Sequence, residues 1–288
     1  MIYDAAVIGT GPAGLSAALN LRIHNKKLLW IGSKELSDKV TLAEKIENYP
    51  GFTGVSGQTL RDSFRAQVEA MGLEITEQMV TSIMPMGDHY AIMAGPEFFE
   101  AYTVLLATGV SVSHALPGET ALLGRGVSYC ATCDGRLYRG KKIAVLCNNR
   151  RFEHEAAYLS ELADEVLYFA RYKDPSPIAD NVKLMSESAV AIVENDGHVG
   201  AVALKNGENV PVDGVFCLRS SIAMSTLLPQ LEMEDGHIAV DRRQRTNLPG
   251  CFAAGDCTGR PYQYAKAVGE GNVAAHAMIE YLASKDKN

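Results

Sequence analysis

The chain has 288 residues at 47% hydrophobic composition, ample for one large domain or two ordinary ones with self-sufficient cores. A formal charge of -7 argues against non-specific nucleic-acid binding through a basic surface, and no apolar run reaches the roughly 18 residues of a membrane span. A strand signal beginning at Ile2 leaves no room for a signal peptide, so a cytoplasmic protein is expected, and six cysteines in so long a chain form no disulfide framework.

From Ile2 to Ile31 the order is strand, glycine turn, helix (Ala13 to about His24) and strand (Lys27 to Ile31). A βαβ unit of about 30 residues with this turn binds dinucleotides. Gly9 permits the tight turn, Gly11 admits a pyrophosphate to the backbone, and Gly14 lets helix and strand approach, while the helix N-terminus offers N–H donors and positive dipole. After the second strand comes Gly32-Ser33-Lys34, with no acid where a ribose partner often lies, and Glu35 is displaced from that place. Past Glu97, paired strand signals lead into the apolar run from Thr103 to Ala107, which ends at Thr108-Gly109. A linker is expected around residues 110–118, where Pro117-Gly118 turns the chain.

Cys130-Ala131-Thr132-Cys133 follows, then Asp134. A zinc site needs four ligands, and Cys147, Cys217, Cys251 and Cys257 supply no second CxxC or histidine pair. No metal is therefore expected. A redox dithiol explains the spacing, with Asp134 placed to move protons as the thiols ionise, and the other four cysteines read as buried small hydrophobes. A second βαβ unit runs from Lys142 through a helix around Glu153 to Ala163 and into Glu165–Phe169. Its turn, Cys147-Asn148-Asn149-Arg150-Arg151-Phe152, puts side chains where glycines would admit a pyrophosphate; Arg150 and Arg151 leave a replacement phosphate site open, although charge does not restore backbone access.

Strand and hairpin signals continue to Val240, with turns at Asn195-Asp196-Gly197, Asn206-Gly207 and Asp235-Gly236. Asn247-Leu248-Pro249-Gly250 punctuates a second linker, Cys251 to Asp256 reads as a short buried strand, and a final helix spans roughly Lys266 to Ala283. The expected fold is α/β, two Rossmann-like three-layer domains with the second inserted in the first: 1–113 with 245–288, and 114–244. Two crossings between domains form a natural hinge.

These motifs carry a family resemblance. GTGPAG (9–14), ENYPGF (47–52), LLATG (105–109), SYCATCDG (128–135) and FAAGDCTGRPYQYAKAVGEG (252–271) resemble low-molecular-weight thioredoxin reductases in order and spacing. The resemblance implies FAD held by Gly9, Gly11, Pro12, Ala13 and Gly14, with Ser33, Asn48 and Thr108-Gly109 near it. It places Gly255 and Asp256 on the ribityl chain, and Gln263, Tyr264 and Ala265 at the isoalloxazine ring. It also implies a homodimer acting on thioredoxin, with Cys133 the flavin-proximal sulfur, Cys130 the thiolate that attacks thioredoxin, and Asp134 the proton donor or acceptor.

NADPH-dependent members carry a GGGDSA-like turn and an HRR that grips the 2′-phosphate; this chain has CNNRRF at 147–152 and Ala170-Arg171-Tyr172. Glu35-Leu36-Ser37-Asp38-Lys39 and Arg171-Tyr172-Lys173-Asp174 resemble instead the pyridine-nucleotide-independent, ferredoxin-dependent flavin thioredoxin reductases, and Lys39 falls where the larger family has its flavin-side glutamine. The expected function is transfer of electrons from reduced ferredoxin through FAD and the Cys130–Cys133 pair to thioredoxin. Lys141-Lys142, Arg150-Arg151 and Arg242-Arg243-Arg245 are candidate docking patches for an acidic ferredoxin, set against their ordinary reading as solvated charged turns. Two other functions stay open: an NADPH-dependent reductase with an atypical nucleotide site, and a non-catalytic flavoprotein or redox sensor.

Overall fold

A computed structural model of the protein describes residues 1–41, 43–110, 115–219 and 224–285. Strand β1 (Ile2–Ile8) runs through the glycine turn into helix α1 (Pro12–Ile23), and β2 (Leu28–Ile31) returns parallel beside β1. Pro12 starts α1 where its missing N–H costs nothing, and small buried residues (Ala13, Gly14, Ala17, Ala18) let the helix lie close on its neighbours. After the short helix α2 (Asp38–Thr41), α3 (Gly57–Ala70) begins behind Ser56, whose hydroxyl accepts the Thr59 N–H at 3.1 Å. Strands β3 (Val80–Pro85), β4 (Tyr90–Ala94) and β5 (Glu97–Leu106) form an antiparallel meander, and the far end of β5 runs parallel to β1.

The chain then enters a second compact unit, residues 112–226. It contains β6 (Val127–Ser128), α4 (Ala131–Asp134), β7 (Lys142–Cys147), α5 (Glu153–Ser160), β8 (Glu165–Ala170) and β9 (Val182–Leu184). A meander of β10 (Ala189–Asn195), β11 (His198–Leu204) and β12 (Asn209–Pro211) precedes β13 (Gly214–Leu218), which enters the parallel sheet in the order β6-β13-β7-β8-β9. Asp196 and Gly197 both take positive φ (48° and 81°), the turn that matches strand twist in a tight hairpin. The apolar faces of β7, β8 and β13 bury Ile143, Val145, Tyr168 and Phe216 in this unit's own core.

After α6 (Met224–Leu227) come the hairpin β14 (Met233–Glu234) and β15 (His237–Ile238), β16 (Cys251–Ala253) parallel to β5, and α7 (Tyr264–Lys285). Helix α7 crosses α1 so closely that a Cβ on Gly271 would lie 2.1 Å from the Ala13 carbonyl oxygen. The α/β class and the two-domain Rossmann-like plan are as expected.

The domain boundary differs from the expected one. Residues 227–244, expected in the insert, belong to the first unit, which comprises 1–111 and 227–288. Glu232 N donates to Asn247 Oδ1 (3.0 Å), Ala253 N donates to Gln244 O (3.0 Å), and Arg245 bridges Phe252. Asn247–Gly250 is then a turn within that unit, closed by Cys251 N donating to Leu248 O (3.0 Å). Of the expected linker 110–118, residues 111–114 lie outside the described residues, and Pro117 already serves the second unit by accepting the Ile192 N–H (2.9 Å).

An ion pair is buried in the second unit, with Glu119 0% and Arg219 6% exposed. Tyr129 donates its hydroxyl to Glu119 Oε1 (2.8 Å), Leu116 N donates to Oε2 (2.9 Å), and the guanidinium lies 5.3 Å from the Tyr129 ring centroid. Removing one partner of such a pair leaves an uncompensated buried charge, so Glu119→Leu should lower the unfolding free energy by about 3–5 kcal/mol. Adding Arg219→Met should recover most of the loss, because a well-packed apolar pair is nearly equivalent. Urea denaturation of both variants checks this, and a Glu119→Leu protein as stable as the parent would contradict it.

Candidate active site

The three glycines of the first turn do different work. Gly9 has φ +116°, and a Cβ there would lie 2.2 Å from the Ala107 carbonyl oxygen; a Cβ on Gly14 would lie 2.0 Å from the Gly9 carbonyl oxygen. Both are required by the protein's own backbone. At Gly11 a Cβ would meet nothing within 4 Å among the described residues, so the backbone there borders open space. Trp30, fully buried, donates its indole N–H to Gly9 O (2.9 Å) and pins the turn. Gly11 caps α1 without a side chain, and the first helical turn holds no acid, leaving its N–H donors to an anion.

Of the other expected cofactor residues, some are placed against this turn and others only against one another. A Cβ on Gly255 (φ +90°) would lie 3.0 Å from the Ala13 Cβ, so the Gly255-Asp256 segment adjoins the turn. Asn48 donates its amide to Gln263 Oε1 (2.5 Å) across 215 residues of sequence, and Tyr264 and Ala265 open α7 directly afterwards. Thr108 and Gly109 (φ +66°) lie two and three residues beyond Leu106, the last residue of β5. Ser33 Oγ accepts the Glu35 N–H (3.2 Å), while the Glu35 carboxylate pairs with Arg65 and is thereby engaged elsewhere. Lys39 lies in α2, but its side chain lies outside the described residues. The open backbone at Gly11 and the uncapped helix fit the pyrophosphate of a flavin dinucleotide.

Two further residues hold this region. Glu270 Oε2 accepts the Gly255 N–H (2.8 Å) and the Thr258 hydroxyl (3.0 Å), and Lys266 donates to the carbonyls of Gly255 (3.0 Å) and Gly259 (2.7 Å) while pairing with Glu270 (3.2 Å). The i,i+4 spacing of Lys266 and Glu270 is the only sign of this brace in the sequence.

In the second unit Cys130 and Cys133 form a disulfide with Cα atoms 5.3 Å apart. Cys130 is the N-cap of α4, and its sulfur accepts the Cys133 N–H (3.2 Å) with the Thr132 hydroxyl 3.6 Å away. Donors aimed at one sulfur stabilise its thiolate, which favours Cys130 as nucleophile, although Cys133 is the more exposed of the two. Asp134 Oδ2 accepts the Ser128 hydroxyl at 2.6 Å. Cys147, Cys217, Cys251 and Cys257 are buried, and desolvation pushes Cys217 and Cys251 up to about 12 and Cys257 to about 11, so they stay inert thiols. Among the described residues no group of three or more His, Cys, Asp or Glu is placed to hold a metal.

The turn after β7 is closed by its own side chains. Asn149 Oδ1 accepts the Arg151 N–H (3.1 Å), and a 3-10 turn, Arg150–Phe152, delays the start of α5 to Glu153. Glu153 Oε1 accepts the Ser176 N–H (3.0 Å) and the Tyr172 hydroxyl (2.8 Å), and Tyr172 lies 2.6 Å from the Tyr168 hydroxyl. The Ser176 hydrogen bond leads in holding Glu153 below the usual carboxylate range. Glu153, the first residue of α5, thus fixes a negative charge beside the turn, facing the segment after β8, which disfavours a second anion there. Arg171 donates to Ala189 O (3.2 Å), Arg150 donates to Asp174 O, and Arg151 stacks 4.8 Å from the Phe152 ring centroid.

The sequence profile of the family Pyridine nucleotide-disulphide oxidoreductase matches residues 3–148 and 155–271, with its interruption falling on this closed turn. Thioredoxin reductase from Treponema pallidum is 34% identical over 97% of this chain and 97% of its own. The crystal structure of a ferredoxin-flavin thioredoxin reductase from Clostridium acetobutylicum is 42% identical with a TM-score of 0.95, covering 100% of both chains. A thioredoxin reductase structure from Gloeobacter violaceus is 29% identical with a TM-score of 0.83 over 98% of this chain and 95% of its own. A glycine turn open to a dinucleotide, a CxxC disulfide and these matches along the full length agree: the chain belongs to the pyridine nucleotide-disulphide oxidoreductase family, among the flavin-dependent disulfide reductases of thioredoxin reductase type.

Proposed function

We propose that this protein carries electrons from reduced ferredoxin, through FAD bound at the Gly9–Gly14 turn, to the Cys130–Cys133 pair and on to thioredoxin, working as a cytoplasmic homodimer. The closed turn after β7 carries the choice of donor. A pyridine dinucleotide would have to bring its pyrophosphate to a helix start that already carries the fixed charge of Glu153, with no glycine to admit it. The one arginine left of the phosphate fork, Arg171, is spent on a backbone carbonyl, and Arg150 and Arg151 are engaged as well. The 42% identity to the Clostridium protein supports the same donor, and the Treponema relative supports thioredoxin as the substrate.

The energetics agree. A plant-type ferredoxin near -400 mV and a thioredoxin near -270 mV differ by about 130 mV, roughly 6 kcal/mol downhill for two electrons, so no nicotinamide is needed. The flavin, when bound, supplies a carrier that accepts single electrons and passes on a pair. Gly11 and the α1 N-terminus bind its pyrophosphate, and Lys266 with Glu270 holds the Gly255-Asp256 segment in place. Cys130, its sulfur met by the Cys133 N–H, attacks thioredoxin; Asp134 exchanges the proton of the second thiol. Of the basic clusters, Lys142 pairs with Glu165, Arg243 with Glu280 and Arg245 with Asp241, so a ferredoxin patch built on them would draw on already paired charge.

Chemically reduced ferredoxin should sustain thioredoxin reduction by this protein over many turnovers, whereas NADPH should not. Sustained turnover on NADPH would return the chain to the NADPH-dependent reductases. No turnover with any low-potential donor would make it a non-catalytic flavoprotein.

A further inference from the structure

Ser128 joins the backbone of the redox segment to its carboxylate. It is the last residue of β6 and 3% exposed. Its hydroxyl oxygen accepts the Cys130 N–H at 3.0 Å and lies 2.6 Å from Asp134 Oδ2 and 3.2 Å from Cys130 O. A hydroxyl has one proton to donate, and the 2.6 Å contact to a carboxylate oxygen has the length of a charge-assisted hydrogen bond, so that proton goes to Asp134. Asp134 ends a four-residue helix, which alone would leave its side chain free to change rotamer. The buried strand residue removes that freedom and ties the carboxylate to the backbone of Cys130.

We propose that Ser128 is the positioning residue for Asp134 in thiol–disulfide exchange, an assignment that rests on the function given above. In that exchange the Cys130 thiolate bonds to one thioredoxin sulfur, and the other leaves as a thiolate that takes a proton from water, balancing the one lost when Cys130 ionised. The Cys133 thiol gives its proton to Asp134, and its thiolate attacks Cys130 Sγ. The Cys130–Cys133 bond re-forms, and the second thioredoxin thiolate departs with the proton from Asp134. Two electrons move from the protein dithiol to thioredoxin, and Asp134 ends as it began. Ser128 acts through Asp134, by keeping the carboxylate oriented for both transfers.

The test is a double-mutant cycle in the flavin-loaded enzyme, with ferredoxin-driven thioredoxin reduction as the assay and flavin content as the check on folding. Ser128→Ala should lower kcat about tenfold, the scale of one hydrogen bond to a charged group, and leave KM for thioredoxin unchanged. Ser128→Thr, which keeps the hydroxyl and suits a strand, should restore most of the rate. Asp134→Asn should cost about a hundredfold, within the range of general acid–base catalysis. Placed on top of Asp134→Asn, Ser128→Ala should cost nothing more. A loss that multiplies with that of Asp134→Asn, or an unchanged kcat in Ser128→Ala, would overturn the proposal. A fully active Asp134→Asn would overturn the role of Asp134 and that of Ser128 together while leaving thioredoxin reduction standing; parent enzyme that reduces no thioredoxin would instead defeat the underlying function.

Discussion

Serine at Cys130 or at Cys133 is expected to reduce thioredoxin turnover to background while leaving flavin binding and flavin reduction by the donor intact. The two variants should differ in what they retain. Cys133→Ser keeps the sulfur that accepts the N–H of residue 133, so it should attack thioredoxin and stop as a stable mixed disulfide, with no second thiol to resolve it. Cys130→Ser should form no such adduct, and its remaining thiol should give a long-wavelength charge-transfer band if it is the one that approaches the ring. Mass spectrometry of each variant incubated with thioredoxin decides the matter. An adduct through Cys133, the more exposed sulfur, would reverse the two roles.

Gly11→Val should yield a folded protein without its yellow colour. Gly11 has φ -75° and ψ -178°, extended backbone that valine adopts readily, and among the described residues a Cβ there has no neighbour within 4 Å. The added branch points into the space a pyrophosphate needs. Overpacking against neighbours able to shift costs about 1–3 kcal/mol, and a phosphate held by backbone N–H groups has little room to shift, so flavin affinity should fall by about tenfold to a hundredfold or more. Gly14→Val separates ligand from fold: its Cβ would sit 2.0 Å from the Gly9 carbonyl oxygen, so it should unfold the turn itself. Flavin-to-protein ratios with far-ultraviolet circular dichroism distinguish the two, and full flavin content in Gly11→Val would remove the cofactor from that turn.

What is legible in the residues is short-range chemistry. The Asp196-Gly197 hairpin and the Cys130–Cys133 disulfide depend on neighbours within a few positions, where residue type nearly dictates conformation, and the glycine spacing of the β1–α1 turn is visible although Ala107 and Trp30 complete it from afar. The capture of Glu153 is not legible, because Tyr172 and Ser176 stand 19 and 23 residues away and meet it only after β8 is laid beside β7. The missing glycines show that a nucleotide turn is damaged; they do not show which partners hold the side chains around it. The brace of Lys266 and Glu270 has a visible spacing, but its targets are carbonyl and N–H groups of a loop whose path local sequence leaves open. The return to the first domain near residue 227 is hidden for a related reason. Strand-like segments lie on both sides of it, at Gly214–Leu218 and Met233–Ile238, and the proline-glycine turn at Pro249-Gly250 punctuates the sequence more strongly than the crossing does.

The central claim is that the closed turn after β7 has removed pyridine nucleotide as a donor, and it is tested most directly by following the flavin absorbance without oxygen as NADPH, NADH and reduced ferredoxin are added in parallel. The account predicts that ferredoxin bleaches the flavin within the mixing time of an ordinary titration and that both nucleotides leave its spectrum unchanged even at millimolar concentration. Rapid bleaching by NADPH, followed by reduction of thioredoxin, would contradict it.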